Sequence, residues 1–281
     1  MPDGALGREF VGGIASTAAV HCILWRLTFS AQSADATSGT FKLAAAYEVP
    51  RRTNPNQGEP GPKVSSEGTW EIVKGMEAKP EATVYRLKAG KPERSVSFVK
   101  VSDALLHLLD EDKGLMNGTA GWSYTLNRAD VAEKPGVPAP TAEMSYTISP
   151  LATGPRVFGV FEGRTPCNGI SRELNRPEKA GCIKSKWRVT LYQNPETSAP
   201  TTYKVEGSLF RQKAREGTWS ITRGTADPNA IVYRLAPTQT EPALLLMKGD
   251  DNVLFFLNQK QEPMVGHADF SYTLNRVKTS K

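Results

Sequence analysis

The hexapeptide Ser-Tyr-Thr-Leu-Asn-Arg occurs twice, at Ser123–Arg128 and at Ser271–Arg276. Traced backwards, "LLHLLDEDKGLMNGTAGWSYTLNR" aligns without a gap on "VLFFLNQKQEPMVGHADFSYTLNR", so that Met116 matches Met264, Gly118 matches Gly266 and Trp122 matches Phe270. The same register reaches "VYRL" at Val84–Leu87 and Val232–Leu235, and one residue of slippage brings "EGTW" at Glu67–Trp70 onto Glu216–Trp219. Upstream, "WRLTF" at Trp25–Phe29 matches "WRVTL" at Trp187–Leu191, and 16 residues after each Trp stands "FKL" at Phe41 or "YKV" at Tyr203. "FVGG" at Phe10 and "FEGR" at Phe161 open the two copies. The chain is a tandem duplication, with units of about 120 residues. Two such long units make a pair of domains rather than a solenoid.

The expected boundaries follow: a first unit over 1–128, a linker over 129–156 and a second unit over 157–281. The linker "ADVAEKPGVPAPTAEM" has the Pro/Ala/Glu content of a semi-rigid spacer. Phe41 and Glu67 are 26 residues apart where Tyr203 and Glu216 are 13 apart. The extra residues are rich in Pro, Gly and Asn, which predicts a long surface loop over 50–66.

Within each unit the patterns are those of strands. "WSYTL" and "FSYTL" alternate, which places Trp122, Tyr124 and Leu126, or Phe270, Tyr272 and Leu274, on one face. "TWEI" and "TWSI" do the same with Trp70 and Ile72, or Trp219 and Ile221, and "VYRL" continues the period with Tyr85 and Tyr233. Trp70, Trp122, Tyr124, Trp219, Phe270 and Tyr272 are therefore the candidate interior aromatics. "VLFFL" reads as a strand buried on both faces. With 24 Gly and 20 Pro between short Val/Ile/Thr/aromatic runs, the class is all-β. Small antiparallel barrels are the expected form, because closure removes exposed edges. The main helical segment is short, Gly169–Asn175.

A net charge of +6, with basic and acidic residues interspersed, gives none of the concentrated basic face that nucleic-acid binding requires. No stretch is apolar for the roughly 20 residues of a spanning helix. "FVGGIASTAAVHCILW" imitates a secretory signal, but His21-Cys22 and Arg26 interrupt it and the repeat assigns it to a folded strand, so it reads as mature protein.

Taken in order, "FEGRTPCNGI", "EGTW", "VLFFLNQKQEPMVG" and the closing "SYTLNR" resemble the N-terminal domain of NlpE, the bacterial envelope copper-resistance lipoprotein family. The second copy carries the resemblance across most of Phe161–Arg276, and the first from Trp25 to Arg128. The resemblance implies lipocalin-like barrels in the bacterial envelope (periplasmic, cell-surface or secreted), a role in metal tolerance or envelope stress, and no catalytic chemistry. The chain departs from the family's Pro-Cys-x-x-Cys signature. Pro166-Cys167 is followed by Asn168-Gly169-Ile170, and the first copy has "IAS" in place of "TPC".

Of the three cysteines, Cys167 and Cys182 lie in one unit on either side of the short helix. A disulfide between them would close a loop of roughly 15 residues and contribute about 3 kcal/mol in the chain-entropy model. An exported protein would favour it, and two buried thiols are the alternative. Cys22 stands beside His21, and with Cys167 these are the candidate ligands for copper or another soft metal. Adjacent strand residues point to opposite faces, which argues against a shared ion at His21 and Cys22. His107 aligns with Phe255 of the second copy and reads as a core or cavity-lining residue; His267 reads as a surface residue.

No nucleophile elbow, phosphate-binding glycine loop or His-Glu-x-x-His is present, and none of the 3 histidines is matched between the copies. The carboxylates of "LLDED" are absent from the aligned "FLNQK", as expected of a solvated turn. Arg128 and Arg276 suit either anion contacts at a barrel mouth or packing over aromatic neighbours. The sequence thus leads to a non-enzymatic binding or sensor protein without a resident cofactor, acting on an envelope partner or a small ligand. Its alternatives are a copper-handling protein and a small-ligand-binding barrel.

Overall fold

The structure is a computed structural model and describes residues 6–14, 23–33, 35–50, 58–90, 94–119, 122–134, 149–178, 181–225, 227–237 and 240–278. It contains two closed antiparallel barrels of eight strands each. The first runs β1 (Leu6–Ile14), β2 (Ile23–Ala31), β3 (Ser38–Pro50), β4 (Gly58–Met76), β5 (Lys79–Ala89), β6 (Arg94–Ser102), β7 (Leu105–Leu108) and β8 (Thr125–Arg128). The second runs β9 (Val157–Thr165), α1 (Asn168–Glu173), β10 (Ser185–Gln193), β11 (Pro200–Gly207), β12 (Arg215–Arg223), β13 (Ile231–Pro237), β14 (Leu244–Lys248), β15 (Val253–Leu257) and β16 (Thr273–Arg276). The helix expected over Gly169–Asn175 is α1. No helix among the described residues is long and apolar enough to cross a membrane.

Each barrel closes with the motifs that made the repeat visible. In the first, Phe10 and Val11 pair with Arg128 and Asn127; in the second, Phe161 and Glu162 pair with Arg276 and Asn275. The glycine two residues after each opening Phe is set by this seam. A Cβ on Gly12 would lie 2.6 Å from the Thr125 carbonyl oxygen, and one on Gly163 would lie 2.4 Å from that of Thr273. Any side chain at either position would drive the first and last strands apart.

Grouped by contacts, the first unit consists of Met1–Met116, Trp122–Glu133 and His267–Ser271, and the second of Asn117–Gly121, Lys134–Gly266 and Tyr272–Lys281. The repeated Asn holds a short segment within its own unit. Asn127 donates to the His267 carbonyl at 3.0 Å, and Asn275 accepts from the Gly118 amide at 2.7 Å. Both asparagines are buried, so these bonds replace the water that their amides lose on folding.

Period-two alternation builds both cores. The first buries Phe10, Leu27, Phe29, Trp70, Phe98 and Leu126, and the second Phe161, Val189, Trp219, Tyr233, Phe256 and Leu274. All five residues of β15 are buried, as the apolar run "VLFFL" predicts. The expected loop over 50–66 is a hairpin arm where it is described. Residues Gly58–Ser66 belong to β4 and pair back along β3 as far as Pro50↔Gly58, while 51–57 lie outside the described residues. Composition argued for a loop, but the long β3 offers a partner to each of these backbones.

The second barrel has a plug. α1 buries Ile170, Leu174 packs beside it, and Trp187 meets Phe210 with ring centroids 6.1 Å apart. Cys167 and Cys182 are joined in a disulfide with Cα atoms 6.0 Å apart, which fastens the chain on both sides of the helix.

Candidate binding site

Phe29, Trp70 and Tyr85 cluster inside the first barrel, with centroids 5.4 Å apart for Phe29 and Trp70, 5.2 Å for Phe29 and Tyr85, and 5.7 Å for Trp70 and Tyr85. They come from β2, β4 and β5, each placed inward by its strand's alternation. Trp70 is fixed by its indole N–H, which donates to the Ser30 carbonyl at 3.2 Å. Above these rings is a cavity of about 390 Å³, whose wall also includes Phe10, Ala31, Ile72, Thr83 and Leu106. Its rim carries Arg8, Lys74 and Lys100 with Asp35 and Asp103. Lys100 and Asp103 form an ion pair at 2.5 Å, and the hydrogen bond from Lys100 holds the Asp103 carboxyl below the usual carboxylate range.

The second barrel has the matching tryptophan and tyrosine, and its mouth is filled. Phe158 lies against Trp219 at 5.1 Å and Tyr233 at 5.8 Å. The cause is a bulge: Leu191 pairs with Gly159 but Tyr192 pairs with Val157, so β9 spends an extra residue at Phe158 and the ring turns inward. In β1 the register from Leu6 to Ile14 is unbroken, with Gly7 opposite Ser30 and Arg8 opposite Phe29. Arg276 then covers the second mouth, its guanidinium 5.5 Å from the Phe158 ring centroid and 4.8 Å from that of Phe161. Gly159 makes room for it, because a Cβ there would lie 2.6 Å from an Arg276 guanidinium nitrogen. The first barrel has Arg8 at that place, and Arg128 instead bonds Asp130 at 2.7 Å.

A more open hollow of about 780 Å³ lies beside Trp25, Val96, Leu108 and Met116. Among the described residues of its wall, Trp25 is the one aromatic side chain.

Of the six expected interior aromatics, Trp70, Tyr124, Trp219 and Tyr272 lie in the cores and Trp122 packs against the first. Phe270 is different. It stacks on Trp122 at 5.5 Å within the first unit and is not among the core residues of the second. Ile221, read as inward, is 52% exposed.

Cys167 has its sulfur in the disulfide, whereas His21 and Cys22 lie outside the described residues. Among the described residues no group of three or more His, Cys, Asp or Glu side chains converges as metal ligands would. His107 is a core residue: its Nε2–H donates to the Met116 carbonyl at 2.9 Å, and Nδ1 accepts from the Thr125 hydroxyl at 2.8 Å. Burial holds its pKa down at about 4. His267, read as a surface residue, is buried; its Nδ1 accepts from the Asp269 amide at 3.1 Å and its ring meets Phe270 edge-on. A turn sequence suggested exposure, but this turn folds onto its own imidazole.

Arg8 and Lys100 were not singled out by the sequence. Lys74 could have been, since it continues the inward alternation Trp70, Ile72, Lys74. Comparison with protein-family models, curated proteins and solved structures finds no match for the chain.

Proposed function

We propose that this chain is a non-enzymatic binding or sensor protein of the bacterial envelope, in which the first barrel receives a small molecule and the second is a filled, disulfide-braced scaffold. The observation that carries the reading is the contrast between two mouths built from the same repeat. One is filled by Phe158 and Arg276, and the other leaves a cavity over Phe29, Trp70 and Tyr85. Its volume of about 390 Å³ falls in the range of small-molecule sites, and its apolar floor with a few polar groups at the rim is their usual composition.

Among the described residues the cavity wall includes Ser33, Ser102 and Thr83 but neither His nor Cys, so none of these hydroxyls has a described imidazole base beside it. That favours binding over hydrolysis. The disulfide favours an oxidising compartment, in keeping with the resemblance to envelope NlpE domains.

The test is fluorescence titration with the neutral probe N-phenyl-1-naphthylamine. The wild-type chain is expected to bind one equivalent, and Ala31→Phe, which projects a ring into the cavity, to weaken binding at least about tenfold. Absence of binding, or equal binding by both proteins, overturns the reading.

A further inference from the structure

We infer that the ligand of the first barrel is an amphipathic anion: a ring-bearing apolar body that rests on Phe29, Trp70 and Tyr85, with one carboxylate, sulfonate or similar group held at the rim. This rests on the binding reading above and adds to it the chemical class of the ligand.

Three observations lead there. The floor is a cluster of three aromatic rings within 5.2 to 5.7 Å of one another, which offers faces and edges to a flat apolar body. Among the described residues the rim carries three cations against two carboxylates, and the cations are spread around the barrel, Arg8 on β1, Lys74 on β4 and Lys100 on β6. One carboxylate, Asp103, is already held by Lys100 at 2.5 Å, and Arg8 and Arg128 also contribute to keeping it ionised. With Lys100 and Asp103 paired, Arg8 and Lys74 stand against Asp35 at the described rim, and Lys74 donates to an uncharged acceptor, the Glu81 carbonyl, at 3.3 Å, so the local charge stays positive. Long cationic side chains on three separate strands can bend toward a bound headgroup while their stems cover the ligand's apolar edge.

The second barrel shows the same chemistry satisfied from within. There the aromatic floor of Trp219 and Tyr233 is occupied by an aromatic ring, Phe158, and the Arg276 guanidinium above it donates to the Phe158 and Asp251 carbonyls at 2.8 and 2.6 Å. In the first barrel the place of that ring is open, and Arg8 replaces the glycine that admits Arg276 in the second. A ring-bearing molecule would restore the packing that Phe158 supplies in the other copy, and its charge would meet the cations gathered above it.

The test compares 8-anilinonaphthalene-1-sulfonate with N-phenyl-1-naphthylamine, two probes that share a skeleton and differ by the sulfonate, on the full-length wild-type chain and on Ala31→Phe. The expected result is one site that binds the sulfonate at least about tenfold more tightly than the neutral probe, with both weakened by Ala31→Phe. Arg8→Gln combined with Lys74→Gln, two exposed positions whose loss leaves the core intact, should remove most of that preference while weakening the neutral probe far less than the sulfonate. Asp103→Asn, which frees Lys100, should tighten sulfonate binding.

Equal affinities for the two probes, both sensitive to Ala31→Phe, would overturn the anion inference and leave the cavity reading standing. Binding of neither probe, or binding indifferent to Ala31→Phe, would overturn both. Greater salt sensitivity of the sulfonate than of the neutral probe would give independent support.

Discussion

Phe158 rests on Trp219 with ring centroids 5.1 Å apart, and it reaches that position because β9 bulges by one residue where β1 does not. One extra residue in one strand thus separates a filled barrel from an open one. Phe158→Ala should open the second mouth and lower stability by about 2 kcal/mol, a partly buried aromatic ring being worth somewhat less than a fully buried one. Made in the Ala31→Phe background, it should create new binding of N-phenyl-1-naphthylamine. Urea unfolding and probe titration check the two halves of this expectation.

The two matched tryptophans should differ in their cost of removal. Trp219 lies in a filled core and donates to the Tyr192 carbonyl at 2.6 Å, so Trp219→Ala should cost about 3–5 kcal/mol. Trp70→Ala should cost less, because its ring already borders a cavity open to water and truncation adds less new void. Unfolding of the single variants, followed by circular dichroism, gives the order; a larger loss at Trp70 would contradict the difference between the barrels.

Reduction of the disulfide should destabilise the second barrel alone. The bond spans a sequence separation of 15 residues, for which the chain-entropy model gives about 3 kcal/mol. Hydrogen exchange with and without reductant should show faster exchange in α1 and β10, with β1 to β8 unchanged.

Acid should weaken the first barrel through His107. Burial keeps the folded imidazole neutral down to about pH 4, although its hydrogen bond to the Met116 carbonyl works in the opposite direction. The unfolded chain takes up that proton near its ordinary pKa of about 6.5. Between these values the unfolded state binds more protons. The stability is therefore fully present above about pH 6.5 and is lost progressively, by about 3 kcal/mol in all, as pH falls toward 4. His107→Phe, which installs the residue found at the matched Phe255, should flatten this slope. Burial lowers the pKa of His267 in the same direction, so some acid sensitivity should persist.

The all-β class, the closure into two barrels and the inward set Trp70, Tyr124, Trp219 and Tyr272 were legible because duplication and period-two alternation act on every strand at once. The site was less legible for a local reason. A bulge changes the facing of a single residue, and "VFGVF" against "LGREF" shows Phe158 where the first copy has Gly7 but gives no sign that Phe158 turns inward. The β3–β4 arm was hidden by its Pro/Gly content, which argues for turns unless a partner strand is already in place. His267 was hidden because burial of a turn depends on what the turn folds against. The disulfide was legible from two cysteines on either side of one short helix, whereas the cations of the cavity rim stand on strands whose inner faces otherwise read as apolar.

Whether a ligand enters the first barrel and not the second is read by titrating the labelled wild-type chain with 8-anilinonaphthalene-1-sulfonate and following the tryptophan indole N–H signals by heteronuclear NMR. The Trp70 signal should shift saturably at one equivalent while that of Trp219, under Phe158, stays in place. A Trp70 signal that does not move, or one that moves together with Trp219, would contradict ligand entry into the first barrel alone.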